Sequence, residues 1–201
     1  MNIAVFASGR GTNFSAIVKA IKSGKIKADL SLLVCDNPKA GAIGRAKRAG
    51  VKVALVKRED FAGKKDFEAK IIGHLNENKI DLIVLAGFMR LLSVEFVGMF
   101  TGRILNIHPA LLPSFKGTES IKDAFDYGAK VTGVTVHFVD EKMDHGPIIL
   151  QMPVRIEEGQ SLESLENKIH KIEHKLYPEA VKLFTEGKIR LEGRKVIISS
   201  R

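Results

Sequence analysis

Short apolar runs and helix-like periodicities alternate along this chain. Ile3-Ala4-Val5-Phe6-Ala7 is uniformly apolar and ends at Ser8-Gly9-Arg10-Gly11-Thr12-Asn13, after which Phe14, Ile17, Val18 and Ile21 recur at the spacing of one helix face. That is the pattern of a strand, a glycine turn and a helix. The same alternation predicts strands over 30–35, 51–56 and 83–86, and helices over 41–49 and 67–76. The runs lack polar alternation, which suits strands covered on both faces. A parallel sheet with helices on both sides is therefore expected for the first half.

Past residue 103 the pattern changes. A strand over 103–107 leads into His108-Pro109 and a loop rich in Pro and Gly through Gly117. A helix is expected over 120–127, and two extended segments, 133–139 and 147–154, read as an antiparallel addition. From Ser161, the residues Leu165, Ile169, Ile172 and Leu176 mark one face of a long helix, with Pro178 expected to kink or restart it. The tail, 189–199, reads as a small hairpin around Gly193. No repeat, linker or low-complexity tract interrupts the chain, so one domain over 1–201 is expected. Its class is α/β: a Rossmann-like, mostly parallel sheet with helices on both faces and an antiparallel C-terminal addition.

Composition narrows the class without changing it. With 201 residues, 45% hydrophobic and 27% charged, the chain is an ordinary globular sequence rather than a disordered or fibrous one. The longest apolar stretch, 82–89, falls far short of the ~20 residues a membrane-spanning helix needs. Met1-Asn2 lacks a basic region and the run after it is too brief for a signal peptide, so a cytoplasmic location is expected. The lone Cys35 cannot close an intrachain bridge, which fits a reducing compartment. Lys and Arg number 32 against 23 Asp and Glu, a net charge of +9, which favours an anionic partner. The cations are scattered and aromatic residues make up only 6%, which argues against nucleic acid and leaves phosphorylated metabolites or polycarboxylate cofactors.

The glycine turn is not a dinucleotide fingerprint: Phe14 stands where the third glycine is required, although Asp36 imitates the ribose-binding acid. Its exposed amides at Gly11, Thr12 and Asn13 nonetheless suit a phosphate at a helix N-terminus. The alternative is a plain tight turn capped by Thr12 or Asn13. Leu105-Asn106-Ile107-His108-Pro109-Ala110-Leu111-Leu112-Pro113 is more informative. Alternation sends Asn106 and His108 to one side of a strand, at the carboxyl end where open α/β sheets bind ligands. Along 133–139, Thr135 and His137 share a face, and the turn after them delivers Asp144 just before Gly146-Pro147. A carboxylate beside an imidazole favours its charged form, so His108 with Asp144 is a candidate proton shuttle.

Ser8 to Asn13, Ala86-Gly87-Phe88-Met89-Arg90, the segment from Leu105 to Pro113, and Val136-His137-Phe138-Val139 through Asp144-His145-Gly146-Pro147 stand in this order along the chain. Together they resemble the phosphoribosylglycinamide formyltransferases of the folate-dependent formyltransferase family, from residue 1 to about Tyr177. The resemblance implies that Asn106, His108 and Asp144 are catalytic and that a ribonucleotide phosphate sits on Gly11, Thr12 and Asn13. It implies substrate contacts at Glu173 and His170, and a folate pocket of Met89, Arg90, Leu92, Val139, Asp140 and Met143. Formyl-tetrahydrofolate would be the co-substrate, with no metal, no nucleic acid and no membrane partner, in a monomer or homodimer. Two departures stand out: Ala110, where the family commonly has serine, and the variable segment 116–120.

Formyl transfer creates an anionic oxygen and moves a proton from the attacking to the leaving nitrogen. Asn106 and His108 are expected as donors to that oxygen and Asp144 as the group that favours imidazolium, with Thr135 or His137 in support. His108, His137, Asp144 and His145 lack the spacing of a zinc motif. Two rivals differ in class. One is a formyltransferase acting on initiator methionyl-tRNA, which usually carries an extra C-terminal RNA-binding domain; the other is a nucleotide-binding module using the glycine turn alone.

Overall fold

The first apolar run forms β1 (Asn2–Phe6), and Ile3, Ala4, Val5 and Phe6 are fully covered in the computed structural model, which describes residues 1–199. The described residues group into two compact units, 1–105 and the part from Asn106 onward.

In the first unit α1 (Thr12–Lys22), β2 (Asp29–Cys35), α2 (Gly41–Ala49), β3 (Lys52–Leu55), α3 (Lys64–Glu77), β4 (Leu82–Leu85) and α4 (Val94–Met99) follow β1. The strands run in the order β3-β2-β1-β4 and are parallel, with Val5 opposite Leu33 on one side and Val84 on the other. β5 (Ile104–His108) comes next and continues into the second unit. Phe6 meets Phe88 and Phe96 edge-on, with centroids 5.2 and 6.3 Å away. Burying such a ring contributes about 1.5–3 kcal/mol. Helix α4 has no counterpart in the periodicity, because its start is fixed from outside the segment. Ser93 caps it, and the buried Glu68 carboxylate of α3 accepts both the Ser93 N–H and its hydroxyl.

In the second unit β5 is followed in the sheet by β6 (Val131–Phe138) and β7 (Ile148–Arg155), an antiparallel pair, with α5 (Ser120–Asp126) before them and α6 (Leu162–Thr185) after. The register slips between Val136 and His137: Val136 faces Leu150, whereas His137 faces Ile148. This local irregularity re-aims the strand end that carries His137. α6 decides one half of the expectation at Pro178, that the helix restarts there. It is not restarted at Pro178 but continues to Thr185, because Leu176, Tyr177, Ala180 and Val181 on either side of the proline are all buried. Burial of that stripe outweighs the roughly 3 kcal/mol an interior proline costs. The expected tail hairpin is present as β8 (Ile189–Glu192) and β9 (Lys195–Ile198). No helix among the described residues is long and apolar enough to cross a membrane.

Candidate active site

Three of the residues singled out from the sequence meet within the second unit. Asn106 and His108 leave the end of β5 on the same side, and Asp144 arrives from the turn between β6 and β7. His108 is buried, its Nδ1 3.5 Å from Asp144 Oδ2 and its Nε2 2.8 Å from the Phe115 carbonyl. A carbonyl only accepts, so Nε2 carries a proton. Nδ1 faces a carboxylate at a distance too long for a full hydrogen bond. The ring therefore has an acceptor in front of each nitrogen.

His137 is fixed in the opposite sense. Its Nδ1 donates to the Phe138 carbonyl at 2.7 Å, which leaves Nε2 as a lone pair for the Asn106 amide, whose Nδ2 lies 3.2 Å away. Burial pushes the His137 pKa below the ordinary histidine value, outweighing the bond to Phe138 and the field of Asp144, while His108 adds to the lowering. A neutral His137 thus orients Asn106 and leaves the second Nδ2 hydrogen of that amide for another acceptor. Its Nε2 is 3.9 Å from Asp144 Oδ1, beyond hydrogen-bond reach. Thr135 does something else. Its hydroxyl donates to the Ala110 carbonyl at 2.7 Å and accepts from the Leu112 amide at 3.1 Å, so it ties down the loop that follows His108. Because it is the main chain of Ala110 that is used, the departure from serine leaves this anchor intact.

Asp144 itself sits at φ 47, in the left-handed region, and its Oδ2 accepts the Gly117 amide at 3.0 Å. The following Gly146 is required sterically: a Cβ there would lie 1.8 Å from the Phe138 carbonyl oxygen. Of the neighbouring candidates, Asp140 is engaged inside its own turn by the Lys142 amide and His145 Nδ1, Val139 is half-buried, and Met143 is exposed. On α6, His170 Nδ1 is 3.0 Å from the buried Glu173 carboxylate, so the two expected substrate residues form one pair.

The first unit holds the remaining candidates. Gly11 is the N-cap of α1 at φ 74, so the cap position itself offers no side chain to the first amides of the helix. A Cβ on Gly11 would lie 2.7 Å from the Ala42 Cα, so glycine is required twice over. Asp36 is not a free ribose-binding acid: Ser8 Oγ donates to one oxygen and Arg90 Nε to the other. Arg90, bonded there and 5.7 Å from the Phe67 ring centroid, is held in place rather than left as a loose cation. Met89 is exposed, whereas Leu92 is buried and belongs to the core.

Residue-type reasoning missed Phe115 and Gly117, which act through backbone groups and so carry no side-chain signature. It also missed Glu68, and Gln151, whose amide reaches Thr135 Oγ1 and the Leu112 carbonyl at 3.0 Å each. Gln151 was accessible in principle, because it stands directly opposite Thr135 once the two strands are paired. No group of three or more His, Cys, Asp or Glu among the described residues is arranged to hold a metal ion.

Comparison with known proteins identifies the family. Residues 1–181 match the family described as formyl transferase. The chain is 46% identical over 179 residues to the phosphoribosylglycinamide formyltransferase of Bacillus subtilis (strain 168), covering 89% of this chain and 92% of that one. It is 40% identical over 190 residues to the enzyme of the same name from Haemophilus influenzae, covering 94% and 90%. The crystal structure of glycinamide ribonucleotide transformylase 1 from Symbiobacterium toebii superposes with a TM-score of 0.96 at 41% identity, covering 98% of this chain and 93% of that one.

Proposed function

The chain belongs to the formyl transferase family, and from that membership we propose that it moves a formyl group from formyl-tetrahydrofolate to the amine of glycinamide ribonucleotide, a step of purine biosynthesis. The observation that carries this reading is the gathering of Asn106 and His108 from β5, His137 from β6 and Asp144 from the β6–β7 turn, with His137 bonded through both ring nitrogens and His108 through Nε2.

The amine lone pair forms the new bond to the formyl carbon, and the carbonyl pair moves onto oxygen. Asn106 donates its second Nδ2 hydrogen to that oxygen, held in place by His137. His108 donates from Nδ1, whose hydrogen has no full bond to Asp144 at 3.5 Å. Loss of one such donor typically costs ~10²–10³ in rate. Asp144 balances the imidazolium and takes up the proton the amine releases, directly or through water, for return to the departing folate nitrogen. No covalent adduct with the protein forms, and none of these steps calls for a metal.

In this reading the ribonucleotide phosphate rests on the amides of Gly11, Thr12 and Asn13, at a helix start with no acidic residue in its first turn. Glu173 and His170 contact the ribonucleotide. Met89, Arg90, Val139, Asp140 and Met143 contact the folate, with Leu92 supporting the segment from the core. The protein is cytoplasmic, a monomer or homodimer, and serves small-molecule substrates rather than nucleic acid. The test is turnover of formyl-tetrahydrofolate with glycinamide ribonucleotide, followed through the folate product's absorbance. Wild-type turnover that falls by about 10² or more in His108→Ala supports the assignment. Turnover of a different formyl acceptor, with none of this pair, retires it.

A further inference from the structure

The turn that carries Asp144 is braced by a residue well beyond the family match at 1–181. Arg194 stands in the turn of the β8–β9 hairpin, and its Nη2 donates to the His145 carbonyl at 2.7 Å. Its Nη1 is 3.2 Å from both Nδ1 and Nε2 of the His145 ring. Equal distances to the two nitrogens place the guanidinium against the imidazole rather than in line with either lone pair, a contact that planar guanidinium makes and ammonium does not. His145 Nδ1 in turn donates to Asp140 Oδ2 at 2.7 Å, and Asp140 Oδ1 accepts the Lys142 amide at 3.1 Å. One chain of polar contacts therefore runs from the hairpin through His145 to both ends of the turn.

Asp144 is the residue directly before the clamped carbonyl, and it holds a left-handed backbone, which Asp enters at a modest cost that its surroundings offset. On the other flank Gly146 fits against the Phe138 carbonyl with no room for a Cβ. We propose that Arg194 is a positioning residue for Asp144: by gripping His145 it holds the turn in the conformation that sets the Asp144 carboxylate opposite His108. The inference rests on the formyl-transfer reading for its kinetic consequences only; the grip on the turn is a property of the protein alone.

The test uses the full chain with Arg194→Ala, Arg194→Lys and the double variant Arg194→Ala with Asp144→Asn. Arg194→Ala is expected to lower kcat about tenfold, since a displacement under 1 Å at a reacting group carries that order of penalty, with KM for glycinamide ribonucleotide within about twofold. Arg194→Lys, which can bond the carbonyl but cannot lie on the ring, recovers part of the loss. In the Asp144→Asn background, Arg194→Ala changes the residual rate by less than about twofold, because the residue through which it acts is already disabled. Without any substrate, hydrogen exchange of the amides over 140–146 is expected to quicken about fivefold or more in Arg194→Ala while exchange over 162–185 stays as in wild type. The proposal is overturned by a kcat within about twofold of wild type, by an equal loss in the Asp144→Asn background, or by exchange that is unchanged or quickened across the whole second unit. If wild type fails to turn over the substrate pair, the functional reading falls while the exchange result still decides Arg194's hold on the turn.

Discussion

Among the turns that place left-handed backbone beside candidate functional groups, two do so with different kinds of residue. In the turn over 8–13 the left-handed position is Gly11; in the turn between β6 and β7 it is Asp144. On the proposed function, the difference follows from which atoms are wanted. At the first turn the useful groups are main-chain amides, so the side chain is dispensable and is in fact excluded by Ala42. At the second the useful group is the side chain itself, so glycine will not serve. Asp and Asn are the ordinary residues that enter this region at least cost, which reconciles a strained backbone with a carboxylate. The glycine of the second turn has been moved two places on, to Gly146, where it answers a steric demand from Phe138.

The largest effect comes from separating charge from backbone at Asp144. Both Asp144→Asn and Asp144→Ala are expected to lower kcat by roughly 10²–10⁴, the range for losing a proton-transfer group. They should differ in stability, however: Asn tolerates the left-handed conformation and Ala does not, so Asp144→Ala should unfold at lower urea by about 1 kcal/mol relative to Asp144→Asn. Equal stabilities would remove the conformational half of the comparison. Equal activity in Asp144→Asn and wild type would remove the chemical half.

The first turn predicts the reverse signature. Gly11→Ala meets both a disfavoured φ and the Ala42 backbone, and is expected to cost roughly 2 kcal/mol or more in stability. It should also raise KM for the phosphorylated substrate more than it lowers kcat. Gly9→Ala is the control. A Cβ there meets nothing within 4 Å, so stability should stay within about 0.5 kcal/mol of wild type. A Gly9→Ala protein as unstable as Gly11→Ala would show that the turn is sensitive throughout rather than at one position.

These contrasts also mark how far the chain could be read unaided. The parallel half was legible because its strands are uniformly apolar and its helices periodic, and Asn106 with His108 followed from strand alternation alone. What escaped was whatever depends on pairing distant segments. α4 starts where Glu68 reaches Ser93, Pro178 is overruled by the buried stripe on both its sides, and His108 is capped by a Phe115 carbonyl. Alternation put Thr135 and His137 on one face, yet their tasks differ. Thr135 ties the Ala110–Leu112 loop and His137 orients Asn106, a division set by a register slip that no local pattern encodes.

His137 supplies a subtler test on the side-chain half of the comparison. Burial holds its folded-state pKa below the unfolded value of about 6.5, so the unfolded chain binds more protons than the folded one as pH falls past that point. Its contribution to stability is full above about pH 6.5 and is lost as pH drops through 6.5 toward the folded value. His137→Gln keeps an acceptor for Asn106 but does not titrate. The urea midpoint of wild type should therefore fall further between pH 7.5 and 5.5 than that of His137→Gln. Parallel slopes would mean that His137 is not held neutral by the fold.

The smallest expected effect is at Cys35, and it bears on the first turn alone. Its side chain is fully buried, its Sγ lies 3.2 Å from the Asn37 carbonyl, and burial pushes the thiol pKa up. A thiol that is neither ionised nor reachable is a poor nucleophile, so disulfide reagents should modify the native protein only as fast as it opens. Cys35→Ser should keep turnover within about twofold and cost about 1 kcal/mol, since the hydroxyl can make the same bond but is less suited to an apolar site. Cys35 is followed by Asp36, which takes the Ser8 hydroxyl, so any disturbance there passes into the glycine turn. Should Cys35→Ser lower activity after all, the loss should therefore appear as a raised KM for the phosphorylated substrate. A loss confined to kcat would instead tie β2 to the proton chemistry of the second unit and break the separation of the two turns.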